Sequence, residues 1–171
     1  MNYYQKLILR MVALVIFSYS LFSYIITPIT KYVFYFILRI FYNQSLLTGN
    51  QIIIENNFLT FNNACAAVSA YYLIFILVIL TKDISLKNII KMLSFGFGAI
   101  FVANLLRLTF LISILEINEK FFDFWHLLIW KVIATLFVAL VWILLIKRYK
   151  VNNTPIYSDL KYLIQNIKLF K

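Results

Sequence analysis

Residues 92–115 read MLSFGFGAIFVANLLRLTFLISIL, an apolar run broken by a single charge, Arg107. A helix rising ~1.5 Å per residue needs roughly 20 such residues to cross a hydrocarbon core of ~30 Å, so this run is long enough to span a bilayer. An arginine inside it costs on the order of 3 kcal/mol on the insertion scale. A chain keeps such a residue where it faces a protein interior or a wet cavity. Asn104 lies one turn earlier on the same helical face, in position to hold the guanidinium by a hydrogen bond. The competing reading is an arginine that binds backbone carbonyls or reaches the headgroups.

Working outward, the rest of the chain has the same character. Of 171 residues, 64% are apolar, 19% aromatic and 13% charged, with only three Gly and two Pro. These values belong to multi-pass membrane proteins. The reading is an all-α integral membrane protein, a four-span helical bundle occupying residues 1–150, followed by a basic tail, 151–171. The first span is 7–27, with Lys6 and Arg10 at its base and Pro28 expected to end or kink it. MNYYQKLILR leads into this run without a small-x-small cleavage site, so it reads as an anchor and not a removable signal. An extracytoplasmic insert, 29–63, comes next. Its first part, 29–43, is apolar and aromatic with Lys31 and Arg39, a short helix at the outer interface or packed on the bundle. Its second part, QIIIENNFLTFNN, predicts two short strands around a turn at Glu55-Asn56-Asn57. Unpaired strand edges are not tolerated in lipid, which places this hairpin outside the hydrocarbon.

The second span is 64–80, with Asn62 or Asn63 as N-cap and Cys65 in the first turn. The third is 92–115 and the fourth 123–146, closed by Lys147, Arg148 and Lys150. A surface amphipathic helix is expected around 157–170. The N-terminus, the 81–91 link and the C-terminal tail hold eleven Lys or Arg, whereas the other two links hold Lys31, Arg39 and Lys120 with Glu55, Glu116 and Glu119. The positive-inside rule then puts both termini in the cytoplasm of a cell membrane protein. The net charge of +10 is thereby a topology signal and not a nucleic-acid footprint.

Height can be counted from the cytoplasmic lysines. Cys65 lies 17 residues from Lys82, and Arg107 lies 16 residues from Lys91. Both therefore sit about 25 Å up, in the outer leaflet. His126, the sole histidine, is 21 residues from Lys147, a slightly greater height that helix tilt closes. A thiol, a guanidinium and an imidazole on three helices thus share one layer. A thiol reacts as thiolate, which a helix N-terminus and a nearby cation favour. Imidazole takes the thiol proton and returns it to a leaving amine, and a guanidinium stabilises an oxyanion. This is chemistry for acyl transfer at a peptide bond. One Cys and one His fall short of a zinc site, and no cofactor is called for.

Supporting candidates have two readings each. Asp123 orients the His126 ring or faces water, and Ser69 hydrogen-bonds near Cys65 or serves helix packing. Lys131 shares the computed height but points away from His126 around the helix, which favours snorkelling to the outer surface. Trp125 and Trp130 read as interfacial aromatics.

The segments ACAAVSAYYL, ANLLRL and FDFWH, in this order and spacing, resemble the exosortase/archaeosortase family of membrane cysteine transpeptidases, and most of all its small archaeal (pacearchaeosortase-like) branch. The resemblance covers roughly 48–146, with one departure: many members have Cys-Ser-Gly or Cys-Ser-Ala where this chain has Cys65-Ala66-Ala67. It implies that Cys65 attacks surface proteins beside a short C-terminal motif followed by a transmembrane helix and a basic tail. A thioester forms, and an amine acceptor, expected to be a lipid, releases the product. Arg107 would hold the oxyanion or thiolate, and His126 would protonate the leaving group. The site would face the extracytoplasmic side. Two other classes fit the same residues. One is a non-enzymatic scaffold or small transporter subunit in which Arg107 binds an anion or a partner helix. The other is a family member that binds sorting signals without cutting them.

Overall fold

The computed structural model describes residues 3–42, 45–54, 57–117, 119–151, 153, 155–157, 159 and 164. The apolar runs form helices α1 (Tyr3–Ile16), α2 (Tyr19–Phe41), α3 (Val68–Leu80), α4 (Leu86–Ile117), α5 (Glu119–Leu128) and α6 (Ala134–Arg148). A π-helical turn, Ile129–Ile133, joins α5 to α6. Three helices, Tyr19–Phe41, Leu86–Ile117 and Phe121–Arg148, are long and apolar enough to cross a membrane. Their outward faces carry large apolar side chains such as Phe36, Leu106 and Leu136, each about two-thirds exposed. That mostly helical pattern, apolar inside and out, is the one acyl chains cover.

The expected first span is not one helix. α1 ends at Ile16, and α2 begins at Tyr19 after an extended Ser18 (φ −66°, ψ 162°). Pro28 does not terminate α2, which continues to Phe41, so 29–41 is the second half of that helix and not a separate interfacial one. A proline removes one i→i−4 hydrogen bond, a cost tertiary packing offsets here. Beyond Pro28, Thr30, Phe34 and Leu38 are fully buried at helical spacing. Lys31 Nζ donates to the Gly49 carbonyl at 3.0 Å, and the Tyr35 hydroxyl donates to the Ser45 carbonyl at 3.2 Å.

Those partners belong to a small antiparallel sheet, β1 (Ser45–Thr48), β2 (Gln51–Ile54) and β3 (Asn57–Thr60), in that order. The β2–β3 hairpin stands where expected, except that Asn57, read as part of the turn, opens β3 opposite Ile54; Glu55 and Asn56 lie outside the described residues. β1 is an addition to the predicted pair. Gly49-Asn50 forms its two-residue loop to β2, with Gly49 at φ 57°, a conformation glycine adopts without penalty. Ile52 and Ile54 face the core while Ile53 is half-exposed, the period-two burial of a one-sided sheet.

The second expected span is also shorter than read. α3 has 13 residues and rises about 20 Å, less than a hydrocarbon core. Its N-cap residue, Ala67, is left-handed (φ 53°, ψ 34°), which breaks 62–67 away as a separate turn. Cys65 therefore lies in that turn and not in the first turn of α3. α4 contains the whole 92–115 run and extends it at both ends.

Aromatic rings of α2, α3 and α4 interlock where Phe22 meets Tyr72, Phe75 and Phe97 at centroid distances of 5.2–5.9 Å. Farther from the sheet, Gly96 of α4 lets Ile74 of α3 and Leu145 of α6 approach. At the end opposite the sheet, Tyr3 and Arg10 bond Asp159 at 2.9 and 3.1 Å, and Asn153 donates to the Lys82 carbonyl at 3.2 Å. The three segments that concentrate the basic residues thus meet at one end of the molecule. The predicted surface helix at 157–170 lies for the most part outside the described residues.

Candidate active site

Asparagine builds the loop that presents the thiol. The Asn62 side-chain carbonyl accepts the amides of Ala64 at 3.0 Å and Cys65 at 3.1 Å, while its backbone carbonyl accepts the Ala66 amide at 3.2 Å. This satisfies donors that a tight turn would otherwise strand. The Val68 amide reaches back to the Asn63 carbonyl at 3.2 Å, and the Thr27 hydroxyl of α2 bonds Asn63 Oδ1 at 2.9 Å. Cys65 is left half-buried, its Sγ 3.9 Å from the carbonyl of Thr60 at the end of β3.

From α4, two side chains one turn apart close on this loop. Asn104 Nδ2 donates to the Cys65 carbonyl at 2.8 Å. Arg107 Nη2 donates to the Ala64 carbonyl at 3.0 Å and to the Cys65 carbonyl at 3.3 Å. The shared helical face is as read, but the expected Asn104–Arg107 hydrogen bond is replaced by convergence on one carbonyl oxygen. The reason is the loop itself: outside a regular helix, the Cys65 carbonyl is open to both side chains, while the Ala64 carbonyl takes Arg107 beside the Ala67 amide.

His126 enters from α5, exposed at the ring and stacked on Phe122 with centroids 5.4 Å apart and planes at 29°. Cys65, Arg107 and His126 line one cavity of about 380 Å³, together with Asn62, Thr60 and Trp130. Arg107 and His126 are the basic groups on its wall, and no carboxylate is among the described residues lining it. A thiolate or an oxyanion formed there would meet the Arg107 guanidinium and no carboxylate among the described residues.

The supporting pair does not join them. Asp123 is exposed and lines none of the cavities around Arg107, so the ring's neighbour one turn back is Phe122. Ser69 lies past the left-handed Ala67 and opens onto a different cavity, between α3 and α6, alongside Lys131. Trp130, read as an interfacial aromatic, lines both cavities. Thr60 and Phe122 were not anticipated; Phe122 was findable as the residue one helical turn before His126. Among the described residues no three of His, Cys, Asp and Glu come together as metal ligands.

Comparison with protein-family models, with curated proteins and with solved structures returns no match to this chain.

Proposed function

We propose that the chain is a membrane cysteine peptidase or transpeptidase of the exosortase/archaeosortase kind, acting on C-terminal sorting signals. The observation that carries this reading is the one cavity shared by Cys65, Arg107 and His126, three side chains from three separate segments. In the proposed reaction His126 takes the thiol proton, and Sγ bonds to the carbonyl carbon beside the sorting motif. The carbonyl electrons move to oxygen, then return as the C–N bond breaks and the leaving amine collects the proton from His126. The thioester left on Cys65 passes to an amine acceptor or to water. Arg107 Nη2 is held by the loop carbonyls and Nε is buried, which leaves Nη1 as the donor for the oxyanion or thiolate. Position 67 fits the reading: many members of that family carry glycine or alanine there, and Ala67 has φ 53°, a conformation suited to glycine.

In this reading α1 and the first half of α2 act together as a broken first span. With the 62–67 turn and α3 together as one crossing, and α4 and α5–α6 as the others, they make four crossings with both termini in the cytoplasm. The sheet and the thiol then lie at the extracytoplasmic end, where a substrate helix arrives laterally.

The test is co-expression with a surface protein ending in a short motif, a membrane helix and a basic tail, followed by its size on gels. Wild type is expected to shorten it. Cys65→Ala and Arg107→Ala should leave it full length, and His126→Ala should slow processing by roughly 10²–10⁴-fold, all with normal membrane insertion. Normal processing by Cys65→Ala ends the proposal. One observation favours the second reading, a scaffold or transporter subunit: Arg107 already bonds backbone carbonyls, as a structural arginine does. That reading predicts dependence on Arg107 with free replacement of Cys65 and His126.

A further inference from the structure

The cavity on the far side of Arg107 from Cys65 is larger, about 600 Å³, and lies between α3 and α6. Its walls change character along its length. Toward the sheet stand Arg107, Lys131 and Ser69; farther along come Leu73, Leu77 and Trp142. No acidic residue is among the described residues lining it, and Lys131 pairs with no carboxylate among them. The N-terminal end of α3, where the helix dipole is positive, sits at the same head. Lys131 belongs to the π-helical turn, in which the Ala134 amide bonds the Ile129 carbonyl and the Thr135 hydroxyl bonds the Lys131 carbonyl at 3.0 Å. The widened turn shifts the phase of the helix locally, and such turns are common at functional sites.

From Lys131 to Trp142 is eleven residues, a rise of about 16 Å, or roughly one leaflet of a ~30 Å hydrocarbon core. A groove with a cationic head and an apolar floor one leaflet long has two natural occupants, a membrane helix or a lipid. A helix descending from the Cys65 cavity would press its positive N-terminal end onto Arg107 and Lys131. A phospholipid places a phosphate there instead. Charge complementarity decides between them.

We propose that the α3–α6 groove binds one anionic phospholipid, its phosphate between Lys131 and Arg107 and an acyl chain along Leu73, Leu77 and Trp142. This holds whether or not Cys65 is a nucleophile. The experiment is native mass spectrometry of the full chain in detergent, with added phosphatidylglycerol or phosphatidylcholine. A one-to-one phosphatidylglycerol adduct is expected, in preference to phosphatidylcholine and resistant to excess inorganic phosphate. Lys131→Gln should weaken it roughly fivefold, the effect of one basic residue on an anionic headgroup. Ala139→Phe, which fills the exposed apolar wall and leaves both cations in place, should weaken it at least as much. Lys87→Gln, at the opposite end of the molecule, should not change it. Equal adducts in wild type and Lys131→Gln overturn the proposal. So do equal retention of the two lipids, displacement by inorganic phosphate, or equal loss with Lys87→Gln, which would mark diffuse annular binding.

Discussion

Asn104 is 3% exposed, and its two polar atoms have opposite fates: Nδ2 holds the Cys65 carbonyl, while buried Oδ1 has no hydrogen-bond partner. Removing a satisfied donor and an unsatisfied acceptor together nearly cancels, whereas adding charge to the acceptor does not. Asn104→Leu is therefore expected to change stability by less than ~1 kcal/mol, and Asn104→Asp to cost about 1–3 kcal/mol or more. In Asn104→Leu the loop loses a tether, so alkylation of Cys65 by an iodoacetamide probe should speed up while the melting temperature holds. If both variants melt alike, the paired-atom account of Asn104 is wrong. Here sequence and structure agree on which residues meet. They differ on what each holds, because the Cys65 carbonyl is open to both side chains only once the left-handed Ala67 has set its loop apart from α3.

At the scale of elements, the two helical glycines of α4 make opposite predictions. A Cβ on Gly96 would meet Ile74 Cγ2 at 3.1 Å and Leu145 Cδ1 at 3.3 Å, whereas one on Gly98 meets nothing within 4 Å. Gly98→Ala should gain helix propensity and stabilise by about 0.5–1 kcal/mol. Gly96→Leu should force α3 and α6 apart and destabilise by about 1–3 kcal/mol. Thermal unfolding in detergent gives both signs, and equal effects would mean that Gly96 is not a packing contact. α4 and the last helix were legible as uninterrupted apolar runs. The break before Tyr19 was not, since Phe17 and Ser18 carry no breaker signal and the one proline nearby lies inside the helix. β1 was announced by Gly49-Asn50, a two-residue loop that its apolar surroundings hid.

Across the whole molecule, the chain's two ends are fastened where Arg10 and Tyr3 hold Asp159. The ion-pair side chains are only 15% and 11% exposed, so the contact is weakly screened by salt. Asp159→Asn leaves Arg10 without its counter-charge and should cost about 1–3 kcal/mol, releasing the chain beyond α6. Limited proteolysis should then cut after Arg148 faster than in wild type, with little dependence on salt. An unchanged cutting rate would show that this contact does not hold the tail.

The amino-acid order alone determined that the chain is a helical membrane protein and which segments share an end. Length, hydropathy and charge are local quantities that add along the chain. It also singled out Cys65, Arg107 and His126, because polar groups in apolar helices are costly enough to stand out. Tertiary structure decided that those three line one cavity while Asp123 and Ser69 do not, and that Arg107 and Trp130 divide it from a second. Rotation about a helix axis and the hand of a single residue, Ala67, set those directions. Neither is encoded by spacing, since both are settled only when helices pack.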